Sequence, residues 1–113
     1  MSCIFCKIVA GEMPAKIVYQ NEYVTAFQDI HPRAPTHILI IPNTHIASVA
    51  ELADEVSANA AAQCLRAARE IANARGLTGG YRVVTNVGAD AGQSVFHLHF
   101  HLLAGRKMSW PPG

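Results

Sequence analysis

The chain has 113 residues, of which 50% are hydrophobic and 15% charged, and its formal net charge is +1. This length suits one domain with a modest core, which we expect to span residues 1–113. The small net charge lacks the excess of positive charge that is typical of nucleic-acid-binding proteins. No signal peptide and no apolar run long enough to span a bilayer is evident. We therefore expect a cytoplasmic protein with no nucleic acid or membrane partner. The low charge also indicates that a partner buries part of the surface, and the simplest such partner is a second copy of the chain.

The first third of the chain predicts strands. Residues 17–19 and 23–28 are rich in β-forming residues around a polar turn, which predicts a hairpin. Residues 29–35 contain two prolines, so we expect a loop there. The apolar run 37–42 ends in proline and predicts a buried strand.

Helices are expected in the middle of the chain. Around residues 45–53 we expect a short helix, in which Ser48 and Glu51 have the spacing of a capping box. Residues 54–75 are rich in good helix formers and predict the main helix. Gly76 supplies its C-terminal stop.

The last third returns to strands. Residues 81–86 predict one strand, 87–94 a glycine-bearing loop, and 97–103 the final strand. Because hairpin connections favour an antiparallel sheet with helices on one face, we predict an α+β fold.

Residues 97–103 alternate three histidines with large apolar side chains. Successive side chains of a strand point to opposite faces, so the apolar ones can enter a core while His97, His99 and His101 line the other face. One histidine in such a place is usually only solvated or hydrogen-bonded. Three at strict alternation repel one another once protonated, and they indicate a functional site.

The loop before these histidines can present backbone N–H groups to an anion, so a phosphate at residues 92–94 would lie near the rings. Such a loop is a weak signal alone, because turns between strands use glycine anyway. Ser94 could donate to a phosphate oxygen or a leaving group, or it could be an ordinary turn serine. Asn86 could direct its amide at the same phosphate.

A neutral imidazole is a good nucleophile toward phosphorus, and attack would give a phosphohistidine-type intermediate that water then clears. The second ring nitrogen should donate a hydrogen bond that fixes the tautomer. For His99, the backbone carbonyl of His97 is a sterically suitable acceptor.

Residues 97–103 match the His-φ-His-φ-His-φ-φ signature, with φ apolar, of the histidine-triad superfamily. Other segments resemble its nucleotide-binding branch, and they are Ile4-Phe5-Cys6-Lys7-Ile8, Phe27-Gln28-Asp29-Ile30, Ala34-Pro35-Thr36-His37, Ile41-Pro42, Gly92-Gln93-Ser94-Val95 and Trp110-Pro111-Pro112-Gly113. The resemblance implies a five-stranded antiparallel sheet with one long and one short helix, and a homodimer that joins two sheets into ten strands. It also implies hydrolysis of purine nucleoside 5′-phosphoramidates, such as adenosine 5′-monophosphoramidate or an AMP-lysine conjugate.

The resemblance implies residue roles as well. His99 would attack the α-phosphorus and form a nucleotidyl-histidine, His97 and His101 would flank it, and His37 would complete the cluster. Ser94 would lie near the departing nitrogen. The other residues holding phosphate oxygens would be Asn86, Gly92, Gln93 and the N–H of Val95.

For the nucleoside, the resemblance implies that Asp29 accepts both ribose hydroxyls. The purine slot would be formed by Ile4, Phe5, Ile8, Phe27, Ile30 and Leu39. Trp110 would reach toward the active site of the other protomer. Without the resemblance, Asp29 could simply cap a turn, Phe5 and Phe27 could be core residues, and Trp110 could anchor the tail.

Cys3-x-x-Cys6 is half of a tetrahedral zinc site. By resemblance, His45 and His97 would complete it, and the zinc would be structural, with no cofactor needed for the chemistry. Chance or redox chemistry also accounts for such a cysteine pair.

Two rival functions stay open. One is dinucleoside polyphosphate hydrolysis or nucleotidyl transfer, as in other histidine-triad branches. The other is a non-catalytic nucleotide-binding scaffold. The sequence fixes neither the leaving amine nor the choice between adenine and guanine.

Overall fold

The predicted strands assemble into one antiparallel sheet in the computed structural model, which describes residues 3–113. The strands are β1 (Ile17–Gln20), β2 (Val24–Gln28), β3 (Thr36–Pro42), β4 (Tyr81–Val84) and β5 (Phe100–Ala104). Their spatial order is β1-β2-β3-β5-β4, and every neighbouring pair is antiparallel. The predicted α+β fold, the hairpin and the buried strand near residues 37–42 are confirmed.

The main helix, α2 (Glu55–Ala74), is also confirmed. The Asp54 carboxylate accepts a hydrogen bond from the Ser57 N–H at 2.8 Å, and the Ser57 hydroxyl lies 3.4 Å from the Asp54 N–H. This reciprocal arrangement satisfies N–H groups that the first turn of a helix leaves without partners. Gly76 follows the helix with φ of 66°, the left-handed conformation that glycine adopts without strain.

The predicted short helix around residues 45–53 is wrong in extent. Only Val49–Glu51 form a single 3-10 turn, and the Ser48 hydroxyl accepts from the Ala50 N–H instead of pairing with Glu51 in a capping box. The short helix of this fold is α1 (Ile4–Val9), which the sequence analysis did not predict. A segment of six residues is too short to show helical periodicity clearly, and its first turn is capped by the Cys3 sulfur.

The histidine segment enters its strand later than predicted. Strand β5 begins at Phe100, so His97 and His99 precede it. The backbone of this segment bonds elsewhere: the Leu98 N–H donates to the Ile46 carbonyl at 2.6 Å, and the His99 carbonyl accepts from the Thr85 hydroxyl at 2.8 Å. The apolar alternation is nevertheless confirmed, because Leu98, Phe100 and Leu102 are all buried in the core.

Both faces of the sheet carry a helix, so the expectation of helices on one face is wrong. On one face, α2 packs small side chains such as Ala67 and Ala68 against β2, β3 and β5, so helix and sheet approach closely. On the other face, α1 covers β2 and β3 through Phe5 and Ile8. The site histidines lie on the α1 side. Within residues 3–113, neither helix combines the length and apolar character that a bilayer crossing requires.

Candidate active site

A pocket of about 450 Å³ opens where the loop after β2 and the loop after β4 meet β3 and β5. Four of the predicted catalytic and phosphate-binding side chains line it together: His37, His99, His101 and Ser94. The remaining lining residues are Asp29, His31, Arg33, Val84, Asn86, Gly92 and Leu103. The fold thus brings together residues that lie up to 74 positions apart in the chain, from Asp29 to Leu103.

The hydrogen bonding of His99 defines its tautomer. Its Nδ1 lies 2.7 Å from the His97 carbonyl oxygen, which confirms the predicted contact. A carbonyl only accepts, so Nδ1 carries the hydrogen and donates it. In the neutral ring the lone pair is therefore on Nε2. The ring is 7% exposed, and the Phe5 ring meets it edge-on at 5.2 Å, so its orientation is constrained by packing as well.

His37 and His101 form a second defined pair. The Arg33 N–H donates to Nδ1 of His37 at 2.9 Å, so the neutral His37 ring carries its hydrogen on Nε2. That nitrogen lies 2.9 Å from Nδ1 of His101 and donates to it. Nδ1 of His101 is then an acceptor, and the hydrogen of the neutral His101 ring lies on Nε2. His101 can therefore donate a hydrogen bond to an anion in the pocket.

The burial of this pair keeps it neutral. Desolvation lowers the pKa of His37, although the nearby Asp29 carboxylate opposes that shift. Desolvation, together with the neighbouring His99 and His37 rings, lowers the pKa of His101 to about 4. Both rings are thus uncharged at neutral pH, and the tautomer assignments apply.

His97 does not face the pocket. Its side chain is fully buried, and its Nε2 donates to the Pro42 carbonyl at 2.8 Å. Its Nδ1 lies 3.4 Å from the Cys3 sulfur and 3.5 Å from the Cys6 sulfur. The His97 ring therefore does not line the pocket with His99 and His101, and His97 flanks His99 through its backbone carbonyl instead.

The second role expected of His97 fits this position. The ligand atoms of Cys3, Cys6, His45 and His97 all lie within 4.8 Å of one another. The Cys6 sulfur lies 3.3 Å from Nδ1 of His45. A sulfur and a nitrogen on one tetrahedral zinc ion are separated by about 3.6 Å, given the usual bond lengths. The bond from His97 to the Pro42 carbonyl leaves a lone pair on Nδ1, as a ligand requires. The cluster is thus compatible with Zn²⁺.

The protonation of the cysteines bears on the same cluster. Burial, together with the adjacent Cys3, raises the pKa of the Cys6 thiol. A thiol must lose its proton to ligate a metal, so metal binding at this cluster would release protons.

The predicted phosphate-binding residues divide into two groups. Asn86, Gly92 and Ser94 line the pocket. Gln93 is buried, and its amide is committed to the protein: it accepts from the Gly88 N–H at 2.9 Å and donates to the Ala47 carbonyl at 2.8 Å. Gln93 therefore holds the shape of the loop with its side chain, and its predicted contact with phosphate stays a prediction. Val95 packs partly buried against the cluster under α1.

The residues predicted for the nucleoside lie beside the histidines. Phe5, Ile8, Phe27 and Leu39 belong to one buried apolar cluster with Ile41. Ile4 is 43% exposed and Ile30 86% exposed, so both lie outside that cluster.

Asp29 has two partners. Its Oδ1 accepts from the His31 N–H at 2.8 Å, which confirms the alternative that this carboxylate caps a turn. Its Oδ2 lies 3.3 Å from Nε2 of His37. Its role toward ribose hydroxyls stays a prediction.

Trp110 is 82% exposed. The tail next to it is fastened by the Arg82 guanidinium, which donates to the Ser109 carbonyl at 2.9 Å. The predicted reach of this indole toward a second protomer stays a prediction.

Besides the apolar Val84 and Leu103, two pocket residues were not predicted as such, His31 and Arg33. Both lie in the proline-containing loop, and both are exposed. The contribution of Arg33 to the His37 tautomer comes from its backbone N–H, for which no side-chain pattern in the sequence gives a signal.

Comparison with known proteins agrees with this geometry. The profile of the HIT domain family matches residues 10–108. A 14 kDa zinc-binding protein from Zea mays is 48% identical over 112 residues, which cover 97% of this chain and 87% of the maize protein.

Two solved structures are closely similar. A HIT family hydrolase from Legionella pneumophila has a TM-score of 0.94 and 48% identity, with coverage of 99% of this chain and 100% of the other. A histidine triad nucleotide-binding protein from Candida albicans has a TM-score of 0.82 and 33% identity, with coverage of 97% and 83%. The chain therefore belongs to the HIT domain family, whose histidine triad it carries as His97, His99 and His101.

Proposed function

We propose that this protein hydrolyses purine nucleoside 5′-phosphoramidates through a nucleotidyl-histidine intermediate on His99. The observation that carries the proposal is the bond from Nδ1 of His99 to the His97 carbonyl, at 2.7 Å. That bond puts the lone pair on Nε2 of a ring that lines the pocket. An oriented neutral imidazole is a suitable nucleophile toward phosphorus.

In the proposed first step, Nε2 of His99 attacks the α-phosphorus, a P–N bond forms to the ring, and the P–N bond to the amine breaks. The ring gains positive character, which its hydrogen bond to the His97 carbonyl stabilises. The departing amine needs a proton, and the Ser94 hydroxyl lines the pocket as a donor. The bond to His37 leaves the hydrogen of the neutral His101 ring on Nε2, and His101 donates this hydrogen to a phosphate oxygen.

In the proposed second step, a water molecule attacks the same phosphorus, and the proton that it loses restores the Ser94 hydroxyl. The bond to His99 breaks, the ring recovers its lone pair, and the nucleoside monophosphate leaves. The cysteine and histidine cluster has no part in the two proposed steps, because none of its four residues lines the pocket.

The nucleoside position follows from the surrounding residues. The aromatic and aliphatic cluster under α1 offers an apolar wall for a purine, with Phe5 and Phe27 packed edge-to-face at 5.4 Å. Asp29 lies two residues after Phe27 and lines the pocket, which supports its proposed role as an acceptor for the ribose hydroxyls. The Candida relative, named as nucleotide-binding, supports the same ligand class.

The experiment that tests this proposal is turnover of adenosine 5′-phosphoramidate by the purified protein and by His99→Ala. The wild type should release AMP, and the variant should lose at least about 10³-fold in rate, because the nucleophile is gone. Thermal unfolding of both proteins checks that the variant is folded. Equal turnover by a folded His99→Ala variant would refute the assignment.

A second candidate function has one specific observation in its favour. Arg33 and His31 line the pocket and are exposed there, so the pocket has a basic edge. A polyphosphate chain would suit such an edge, which favours dinucleoside polyphosphate hydrolysis. Comparing kcat/KM for a dinucleoside tetraphosphate and for the phosphoramidate decides between the two substrates.

We further propose that the cysteine and histidine cluster binds a structural zinc ion, supported by its interatomic distances and by the maize relative. We also propose a homodimer with a continuous ten-stranded sheet. Strand β4 is an edge strand, paired only with β5 within residues 3–113, so its outer side can accept a second copy.

A further inference from the structure

The hydrogen bond between His37 and His101 could in principle run in either direction. Both rings are neutral, because burial lowers the pKa of each. A neutral imidazole has one nitrogen that donates and one that accepts, so two such rings at 2.9 Å can bond whichever of them supplies the hydrogen. The direction decides whether Nε2 of His101 offers the pocket a hydrogen or a lone pair, and only the hydrogen attracts an anionic phosphate oxygen.

Two neighbours of His37 set this direction. The Arg33 N–H donates to Nδ1 of His37 at 2.9 Å, so the ring keeps its lone pair there and its hydrogen on Nε2. The Asp29 carboxylate lies 3.3 Å from Nε2 and favours the same arrangement, because its negative charge would repel a lone pair on that nitrogen. Of the two, the Arg33 N–H is the direct hydrogen-bond donor, so its position determines how completely the ring pair is ordered.

The Arg33 N–H belongs to a loop that needs support from outside itself. The loop of residues 29–35 contains two prolines, which have no N–H to donate, and the Arg33 side chain is exposed. The support comes from the chain beyond β5, where Nε of Arg106 donates to the Arg33 carbonyl at 3.0 Å. Both backbone groups of Arg33 are therefore bonded, the N–H to His37 and the carbonyl to Arg106.

The residue before Arg106 packs closely on the same loop. Gly105 follows β5 with φ of 95°, and a Cβ at this position would lie 2.8 Å from Cβ of Pro35. The Arg106 guanidinium also donates to the Lys107 carbonyl at 3.4 Å, which helps to orient it. Arg106 is not among the residues that line the pocket, so it contacts the loop from outside the site.

We propose that Arg106 is a positioning residue for the reaction, which acts through the backbone of Arg33. Its hydrogen bond holds the Arg33 N–H against His37, which directs the His37 hydrogen to His101 and the His101 hydrogen into the pocket. When this support is lost, the N–H moves away from Nδ1 and the reversed pair of tautomers becomes populated. The consequence for turnover rests on the proposed function, whereas the tautomers themselves can be measured without a substrate.

A matched set of variants separates the hydrogen bond of Arg106 from its charge. The amide nitrogen of glutamine occupies the same position along the side chain as Nε of arginine, so Arg106→Gln keeps a donor for the Arg33 carbonyl and removes the charge. Arg106→Met has a similar length and no donor. Lys107→Met removes the neighbouring exposed charge and leaves the bond in place. Thermal unfolding checks that each variant is folded.

The first measurement is the ¹⁵N NMR spectrum of the ligand-free protein with labelled histidines, which distinguishes protonated from unprotonated ring nitrogens. In the wild type, Arg106→Gln and Lys107→Met, we expect the His101 hydrogen on Nε2. In Arg106→Met the His37 and His101 signals should shift toward the tautomers with the hydrogen on Nδ1. Unchanged histidine signals in a folded Arg106→Met variant would overturn the proposal.

The second measurement is single turnover of adenosine 5′-phosphoramidate, in which the saturated rate and the half-saturating concentration are determined separately. Because one exposed hydrogen bond is lost, Arg106→Met should lower the saturated rate about three- to tenfold. Arg106→Gln and Lys107→Met should react like the wild type. Equal losses in Arg106→Gln and Arg106→Met would overturn the proposal, since the charge would then be the cause.

The two measurements separate this inference from the proposed function. If the wild type does not convert the phosphoramidate, the proposed function fails, and the histidine spectra alone decide whether Arg106 positions the ring pair. If the wild type converts it and the spectra of Arg106→Met are those of the wild type, the positioning role is refuted while the phosphoramidase proposal stands.

Discussion

The tautomer of each histidine in this site follows from one hydrogen bond. Some of these bonds can be predicted from the sequence and others cannot. The bond from His99 to the His97 carbonyl follows from the alternating pattern, because a carbonyl two residues back in an extended chain lies within reach of the ring. The bond from the Arg33 N–H to His37 does not, because it joins a backbone group of a loop to a strand residue. The departure of His97 toward the cysteines was predictable only from the Cys-x-x-Cys motif and the resemblance.

The lowered pKa of His101 predicts an acid dependence of stability. The folded ring stays neutral down to about pH 4, whereas the unfolded ring takes up a proton near pH 6.5. Between these values the unfolded state binds more protons, so the free energy of unfolding falls as the pH falls. For this ring the loss should reach about 2–3 kcal/mol, allowing for partial solvent screening.

Urea denaturation at pH 7 and pH 4.5 measures this loss. His101→Gln keeps a polar side chain but removes the titration, and its stability should depend less steeply on pH. An identical pH slope in the variant and the wild type would show that His101 is not the group that resists protonation.

The ribose role of Asp29 gives a second residue-level prediction. Asp29→Ala should weaken binding of AMP by about 1.5–3 kcal/mol, the range for hydrogen bonds to a charged group. Isothermal titration of wild type and variant with AMP measures the difference. Unchanged affinity in the variant would contradict the ribose assignment.

At the level of elements, strands and the long helix were predictable because their periodicity extends over enough residues. Helix α2 is rich in helix-forming residues, begins after the capping residue Asp54 and is followed by Gly76, so its sequence indicates both its length and its ends. Helix α1 lacks such signals, because its six residues form less than two turns. Its Cys-x-x-Cys motif is typical of a metal site and does not indicate a helix. The start of β5 was placed too early because Leu98 bonds to Ile46, a contact between distant segments.

Helix α1 should depend on the proposed zinc ion for its position. It is too short to be stable alone, and Cys3 and Cys6 join it to His97 beneath the sheet. Cys6→Ser should lower the zinc content of the purified protein and increase amide exchange in residues 4–9 while leaving α2 protected. Zinc analysis and hydrogen exchange measure both effects. Full protection of α1 in a zinc-free protein would contradict the structural role.

At the level of the whole molecule, the sheet places the apolar cluster under α1, the histidines and the two loops on one side, so that a nucleotide can meet all three. The sheet order follows from local hairpins except at one point, where β5 inserts between β3 and β4. The sequence pattern alone does not specify that insertion, because it depends on pairing between strands that are distant in the chain.

The proposed dimer is tested at this scale. Sedimentation equilibrium should give twice the protomer mass of 12.2 kDa. Val83→Pro disrupts the edge strand β4 and should weaken its pairing with a second copy. As a control, Val56→Ser changes an exposed side chain of α2 and should leave the dimer intact. A monomeric wild type at micromolar concentration would contradict the ten-stranded assembly.

The central claim is that Nε2 of His99 bonds to the phosphorus of a nucleotide. The most direct measurement is rapid acid-free quenching of the enzyme with adenosine 5′-phosphoramidate, followed by mass spectrometry and peptide mapping. A nucleotidyl group on His99, absent from His99→Ala, is the predicted result. Turnover with no adduct on His99 under conditions that trap the intermediate, or an adduct on another residue, would contradict it.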